Sequence, residues 1–482
     1  MTDSPTLLAG SWRAAADGRW LDVLNPADQR EVVGRVPALS AAEIAEAYDA
    51  AETAARVWRS TGALERGAIL SKAAQILRER RDAIATDLVR EMGKTLAEAT
   101  GEVAKTADFF EYYGALARTP QEYGLADARP DTTVSVRREP VGIVVAITPW
   151  NDPLLTPARK LAPALAAGNA VLLKPATETP LVSLHLARAL VDAGLPPGTL
   201  SVITGRGQDV SAALLGDRRL AAVTFTGSND VGRTIAATLR PGVRLQTELG
   251  GKNATVVLGD ADLDLALATV CAAAFGQAGQ RCTATSRLIL DRPIAAEFID
   301  RLRTAVAALR LGPGLDPATT MGPVVSRGQQ KTVLDHIGAA VAAGARLVHG
   351  GNAPTAEPLA HGCYVEPTLL ADVTPAMAIW RDEVFGPVLA IVEVDGFDAA
   401  CAALNDSAFG LSASLFTRSL AAAHRFLDRA DTGQVAVNLP TSGWDVHHPF
   451  GGFRESGSAF KEQGVEGLAF YTRVKTCALR FA

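Results

Sequence analysis

From Val141 to Asn438 the chain repeatedly sets a short apolar run, four to eight residues long, against a longer amphipathic stretch. Runs of that length suit strands buried on both faces, and the stretches between them suit helices. The expected strands are Val141 to Thr148, Ala170 to Lys174, Leu200 to Thr204, Ala222 to Thr226 and Arg244 to Glu248. A second series follows at Val256 to Leu258, Ser286 to Leu290, Val388 to Val394, Ser412 to Phe416 and Gln434 to Asn438. Helices are expected at Leu154 to Ala167 and Leu181 to Ala193. Strand, helix, strand with short Gly and Pro connections implies parallel pairing with right-handed crossovers, hence an α/β fold in two halves with a cleft between them.

Outside that alternation, Ser40 to about Ala117 is helical: Leu64, Ala68, Leu70, Ala74 and Leu77 recur near the 3.6 period. Arg118 to Val136, punctuated by Pro120, Gly124 and Pro130, reads as a linker or excursion. Ala469 to Phe481 reads as an apolar and aromatic edge strand that pairs with another subunit. A chain of 482 residues exceeds one core, so two or three domains are expected.

Charge and cysteine usage narrow the partners. A net charge of −5 carries no basic footprint for nucleic acid or an anionic membrane. No apolar run is long enough to span a bilayer. Met1 to Gly18 shows no secretory pattern, and five scattered cysteines without a C-x-x-C pair point to a reducing, cytoplasmic setting. A small-molecule substrate is the expectation.

Several short motifs carry chemistry. In Phe275-Gly-Gln-Ala-Gly-Gln-Arg-Cys282 a cysteine follows a glycine-containing turn, where a thiolate can attack a carbonyl carbon. A small buried hydrophobe is the competing role for such a cysteine. Glu248-Leu-Gly-Gly-Lys-Asn253 places a carboxylate at a strand end beside two glycines, a general base or a solvated loop glutamate. Asn151 of Pro149-Trp-Asn151 stands at the carboxyl end of the first strand, as an oxyanion donor or a helix cap. Phe225-Thr-Gly-Ser228 joins a strand to a helix N-terminus able to hold phosphate. Gly205-Arg-Gly207-Gln-Asp-Val lacks the third glycine of the usual dinucleotide fingerprint.

Together with Lys174-Pro-Ala, Glu383-Val-Phe-Gly-Pro387 and Pro449-Phe-Gly-Gly452, these motifs occur in the order of the aldehyde dehydrogenase superfamily, which the chain resembles from about Asn25 to Lys475. The resemblance implies a variant Rossmann cofactor domain (1–117 and 140–248), an α/β catalytic domain (249–440) and a small β oligomerisation element (118–139 and 459–482), in a homodimer or homotetramer. It implies NAD(P)-dependent oxidation of an aldehyde through a thioester on Cys282, with Glu248 as base and Asn151 with the Cys282 N–H as oxyanion hole. Thr148, Trp150, Lys174, Thr177, Gly207, Phe225, Gly227, Ser228, Leu249, Gly250, Glu383 and Phe385 correspond to the cofactor site. Arg159, Asp152 and Thr283 fall on the substrate side. No metal is implied, and His447-His448 is too small a set to hold one.

Relatives that pass the acyl group to coenzyme A lack the glutamate, so Glu248 favours a free acid. Intact Cys282, Glu248 and Asn151 disfavour a non-catalytic binding protein. Gly279 to Arg287, Gly322 to Ser326, Asn438 to Thr441 and Phe470 to Thr476 resemble 2-oxoglutarate semialdehyde (2,5-dioxopentanoate) dehydrogenases. Arg159 matches the position at which succinate semialdehyde dehydrogenases hold the substrate carboxylate. The alternatives are an uncharged aldehyde, or an ion pair between Arg159 and Asp152 on one helix face. Thr177 is neutral where strict NAD users commonly carry a glutamate, so NADP is expected to be accepted beside NAD.

Overall fold

The computed structural model describes residues 3–119 and 122–481; Pro120 lies outside them. A five-stranded sheet runs in the order Arg244–Glu248, Leu220–Thr226, Ile143–Ile147, Ala170–Lys174, Leu200–Val202, every neighbour parallel. Its strands alternate between two cores. Val144, Ala146, Val171 and Leu173 face one, and Ile143, Val145, Ala170 and Leu172 the other. Because both faces are buried, Ile143–Ile147 is continuously apolar in sequence, and Ala170–Lys174 is apolar up to its final lysine.

From Ile143–Ile147 the chain proceeds to one side of this sheet, and from Leu220–Thr226 to the other. These two strands are neighbours, so the sheet's order reverses between them, leaving a crevice at their carboxyl ends. Thr148 to Asn151, Lys174, Thr226 and Glu248 all lie at that edge.

The seven-stranded sheet, in the order Arg346–His349, Thr368–Ala371, Val388–Val394, Arg287–Asp291, Ala254–Val257, Ser412–Phe416, Gln434–Val437, is parallel except for its first pair. Its core is separate from the other two. Strands Arg346–His349 and Thr368–Ala371 are not evident from periodicity, since each is only four residues long and the first has no buried residue. Helices Leu155–Ala166 and Leu181–Ala193 form within a residue of their expected positions.

The stretch read from composition as a linker or excursion contains strands Glu122–Leu125 and Thr132–Pro140, which join Thr472–Arg480 in a three-stranded antiparallel sheet where the resemblance implies a small β element. Glu122–Leu125 is exposed throughout, so no buried alternation marks it. The N-terminal region forms two small antiparallel pairs, Thr6–Leu8 with Ser11–Arg13 and Trp20–Asn25 with Asp28–Pro37. Among the described residues no helix is long and apolar enough to cross a membrane.

Candidate active site

Cys282 is delivered by a strained turn. Helix Leu263–Phe275 ends at Gly276, and Gln277, Ala278 and Gly279 then adopt left-handed backbone (φ 52°, 53° and 69°). A Cβ on Gly279 would lie 2.2 Å from the Gly386 carbonyl oxygen, so only glycine fits. The Asn253 amide then donates to the Cys282 carbonyl at 2.7 Å and fixes the residue's backbone. Burial pushes the thiol up to about 12, with Arg159 pulling the other way.

The thiol sits at the junction of two cavities. An inner chamber of about 260 Å³ is lined by Trp150, Asn151, Glu248, Glu383 and Phe385 among others. An outer tunnel of about 300 Å³ is lined by Lys105, Arg281, Thr283, Trp444 and their neighbours. Cys282, Asp152, Arg159 and Phe450 line both.

Asn151 Nδ2 donates to the Gln280 carbonyl at 3.0 Å. An amide nitrogen carries two hydrogens, so this bond orients the other towards the chamber. Glu248, last in its strand and 3 % exposed, has no hydrogen-bond partner on either carboxylate oxygen among the described residues. Its oxygen would come within 2.6 Å of a Cβ at Gly451, which explains the glycine in Pro449-Phe-Gly-Gly452. Burial and the Glu462 carboxylate raise Glu248 well above the ordinary carboxylate range, opposed by Lys160, Lys461 and Arg159. A carboxylate made this basic is suited to take a proton from water.

Lys160 and Glu462, both missed in the sequence, form a buried ion pair there, and Lys160 also donates to Thr224 at 2.9 Å. A lysine on the apolar face of helix Leu155–Ala166 was the available signal.

The residues expected to hold a dinucleotide divide between two places. Thr148, Lys174 and Gly207 line a mainly apolar cavity of about 440 Å³ with Val210, Leu214 and Ile235. Trp150, Gly227, Ser228, Leu249, Gly250, Glu383 and Phe385 line the inner chamber. Between them Ser228 stands as N-cap of helix Asn229–Thr238 and makes no side-chain cap bond, so its hydroxyl and the first N–H groups suit a phosphate.

Gly227 makes close approach possible, since a Cβ there would meet the Phe225 ring at 2.6 Å. Phe225 itself is buried beneath the turn and lines neither cavity. Thr148 Oγ1 is buried without a partner among the described residues, a polar atom suited to a ligand. Lys174 donates to the Pro175 carbonyl at 2.9 Å, and burial draws its ammonium down to about 8. Thr177, half-buried, donates to the Gly205 carbonyl at 3.4 Å.

At the inner end Glu383 accepts from the Gly251 N–H at 2.9 Å, and burial pushes its carboxyl up to about 7. Phe385, left-handed at φ 55°, packs edge-on against Trp150 at 5.1 Å. Such strain in a non-glycine residue persists only where surrounding structure enforces it, commonly at ligand sites. Apolar cleft, phosphate-suited helix end and carboxylate therefore fit a dinucleotide in that order.

In the tunnel, the alternative ion pair between Arg159 and Asp152 does not form. Asp152 precedes the helix that carries Arg159, and its Oδ1 accepts from Lys94 at 3.2 Å and Gln277 at 2.9 Å. Arg159 Nε is buried without a partner, and its guanidinium lies over the rings of Phe450 (5.0 Å) and Phe109 (5.9 Å). Among the described residues no carboxylate pairs with Arg159 or with Lys105, whose ammonium donates to the Trp444 carbonyl. Lys94, Glu102 and Gln277 were also missed. Glu102 falls on the buried stripe of helix Leu96–Leu116 with Ala99, Val103 and Thr106, and a charge on such a stripe was the signal.

The chain is similar to known proteins along nearly its whole length. The aldehyde dehydrogenase family model matches residues 12–477. An alpha-ketoglutarate semialdehyde dehydrogenase of Haloferax volcanii is 43% identical over 99% of both chains. A 2,5-dioxopentanoate dehydrogenase of Saccharolobus solfataricus is 39% identical over 97% of this chain and 98% of the relative. Among solved structures, betaine aldehyde dehydrogenase of Staphylococcus aureus in complex with NAD+ superposes with a TM-score of 0.96 at 31% identity, covering 99% of this chain and 96% of that one.

Proposed function

The chain belongs to the aldehyde dehydrogenase family, and from that premise we propose that it oxidises a carboxylated semialdehyde, 2-oxoglutarate semialdehyde foremost, to the dicarboxylic acid. It is an NAD(P)-dependent oxidoreductase acting on small aldehydes. The observation that carries the substrate class is the unpaired Arg159 guanidinium beside Cys282, with Lys105 in the same tunnel. Guanidinium geometry suits a carboxylate, and such a charge-assisted contact contributes about 1.5–3 kcal/mol. The names of the relatives from Haloferax and Saccharolobus support the same substrate.

Cys282 gives up its thiol proton to water, its Sγ bonds to the aldehyde carbon, and the resulting oxyanion lies against the Asn151 amide and the Cys282 N–H. NAD(P), when bound, supplies the nicotinamide carbon that takes up hydride. Loss of that hydride leaves a thioester on Cys282. Glu248 then takes a proton from water as its oxygen attacks the thioester carbonyl. The C–S bond breaks, the acid leaves, and the proton held by Glu248 passes to the departing Cys282 sulfur, which restores the thiol.

Lys174 and Thr177 would border the adenosine ribose, Ser228 and the helix behind it the pyrophosphate, and Glu383 the nicotinamide ribose. With no carboxylate at Thr177 to repel a 2′-phosphate, both NAD and NADP are accepted. The sheet formed by Glu122–Leu125, Thr132–Pro140 and Thr472–Arg480 serves subunit pairing in a homodimer or homotetramer. Five unpaired cysteines suit a cytoplasmic protein.

The test is kcat/KM for 2-oxoglutarate semialdehyde, succinate semialdehyde and propanal, with NAD and NADP in parallel. Carboxylated aldehydes should exceed propanal by about ten- to a hundredfold. Equal values for all three would overturn the assignment.

A further inference from the structure

The two donors of the proposed oxyanion hole come from different parts of the fold. Asn151 follows the Ile143–Ile147 strand of the five-stranded sheet, and Cys282 precedes the Arg287–Asp291 strand of the seven-stranded sheet. Their relative placement depends on what holds these two loops together.

A buried polar cluster joins them. Lys94 Nζ donates to the Asn151 carbonyl at 2.9 Å, and Gln277 Nε2 donates to the same oxygen at 3.1 Å. Both donors also reach Asp152 Oδ1, at 3.2 Å and 2.9 Å. Two consecutive acceptors are thus gripped by the same two side chains. Gln277 lies in the left-handed turn that delivers Cys282, and its N–H donates to Glu98 at 2.6 Å. Lys94 is 2 % exposed and paired with Glu102, which accepts from the N–H groups of Leu154 (2.9 Å) and Leu155 (3.0 Å).

We propose that Asp152, Lys94 and Gln277 form a positioning clamp that sets the Asn151 amide against the Cys282 backbone across the two sheets. Asp152 is the hub, because its one oxygen orients both donors towards the Asn151 carbonyl. The proposal rests on Asn151 being an oxyanion donor. In this role Asp152 acts through the Asn151 backbone and not through the substrate, so its loss slows every aldehyde alike.

The experiment compares Asp152→Leu, which removes the shared acceptor, with Asp152→Asn, which keeps an accepting oxygen. Gln277→Leu removes one donor and carries the same comparison should Asp152→Leu not fold. Asn151→Ala is the reference for the oxyanion role. Two rates are measured: first-turnover formation of reduced cofactor, with a carboxylated semialdehyde and with propanal, and alkylation of Cys282 by iodoacetamide without cofactor. Alkylation forms no oxyanion.

Asp152→Leu and Gln277→Leu should slow the first turnover about 10- to 100-fold on both aldehydes. Asp152→Asn should recover most of it, and alkylation should not fall below the wild-type rate, since the Asp152 charge holds the thiol up. An unchanged first turnover in the clamp variants, a loss confined to the carboxylated aldehyde, or alkylation falling in step would each overturn the clamp. An unchanged first turnover in Asn151→Ala would instead overturn the oxyanion assignment on which it rests.

Discussion

The cleft proposed for the adenosine end of the cofactor and the tunnel proposed for the substrate are built on opposite plans. The cleft, about 440 Å³, is walled largely by apolar side chains, and Lys174 is its one charged residue. The tunnel, about 300 Å³, is lined by four basic and three acidic side chains. A cleft of the first kind holds its ligand by shape and by backbone N–H groups at a helix end. A tunnel of the second kind selects by charge, and each of its ions must be paired, hydrogen-bonded or left for the substrate. Asp152, Lys94 and Glu102 satisfy one another, whereas Arg159 keeps an unpartnered nitrogen. Substitution of the unpaired Arg159 should therefore change which aldehyde reacts, and substitutions in the cleft only which dinucleotide binds.

The largest effect expected is at the junction. Cys282→Ala should abolish aldehyde oxidation and thioester formation while NAD(P) affinity, measured by calorimetry, stays within about twofold of wild type. Lost cofactor affinity would show that the two regions are not separable.

Arg159→Leu should lower kcat/KM for a carboxylated semialdehyde by about ten- to a hundredfold more than for propanal, which loses only the pull of Arg159 on the thiol. Equal losses on both would make Arg159 a support for the fold. The thiol supplies a pH test. With burial holding it up to about 12, thiolate is scarce at neutral pH, so iodoacetamide alkylation of the cofactor-free enzyme should climb about tenfold per pH unit into the alkaline range. A plateau near neutrality would mean a thiolate already formed.

The smallest change is confined to the cleft. Thr177→Glu should move selectivity from NADP towards NAD by about tenfold, read from kcat/KM for each, without altering the aldehyde preference. A wild type that ignores NADP would contradict the neutral site at Thr177.

The same contrast explains what the sequence made legible. Strands such as Ala170–Lys174 and Val388–Val394 carry their own apolar pattern and fall where periodicity places them. The cleft and Cys282 are written in contiguous motifs, because glycines such as Gly227 and Gly279 are required by close backbone approach within a few residues.

The tunnel is assembled from Lys94, Glu102, Lys105, Asp152, Arg159 and Gln277, contributed by separate segments, and no local pattern records that they meet. Arg159 and Asp152 look like a pair by spacing alone. They are not one, because the helix begins only at Leu155 and Lys94 arrives from elsewhere to take the carboxylate. Buried charges brought together by tertiary structure are the part that local sequence reasoning cannot see.

The central claim is that Cys282 forms the thioester and Glu248 is needed to hydrolyse it. Glu248→Gln tests it most directly, mixed with NAD(P) and a carboxylated semialdehyde, with reduced cofactor followed in time and the intact protein weighed after quenching. The account expects about one equivalent of reduced cofactor per active site, then a stall, with one acyl group retained on Cys282. Sustained turnover without an acyl-enzyme, or an acyl group on any other residue, would contradict it.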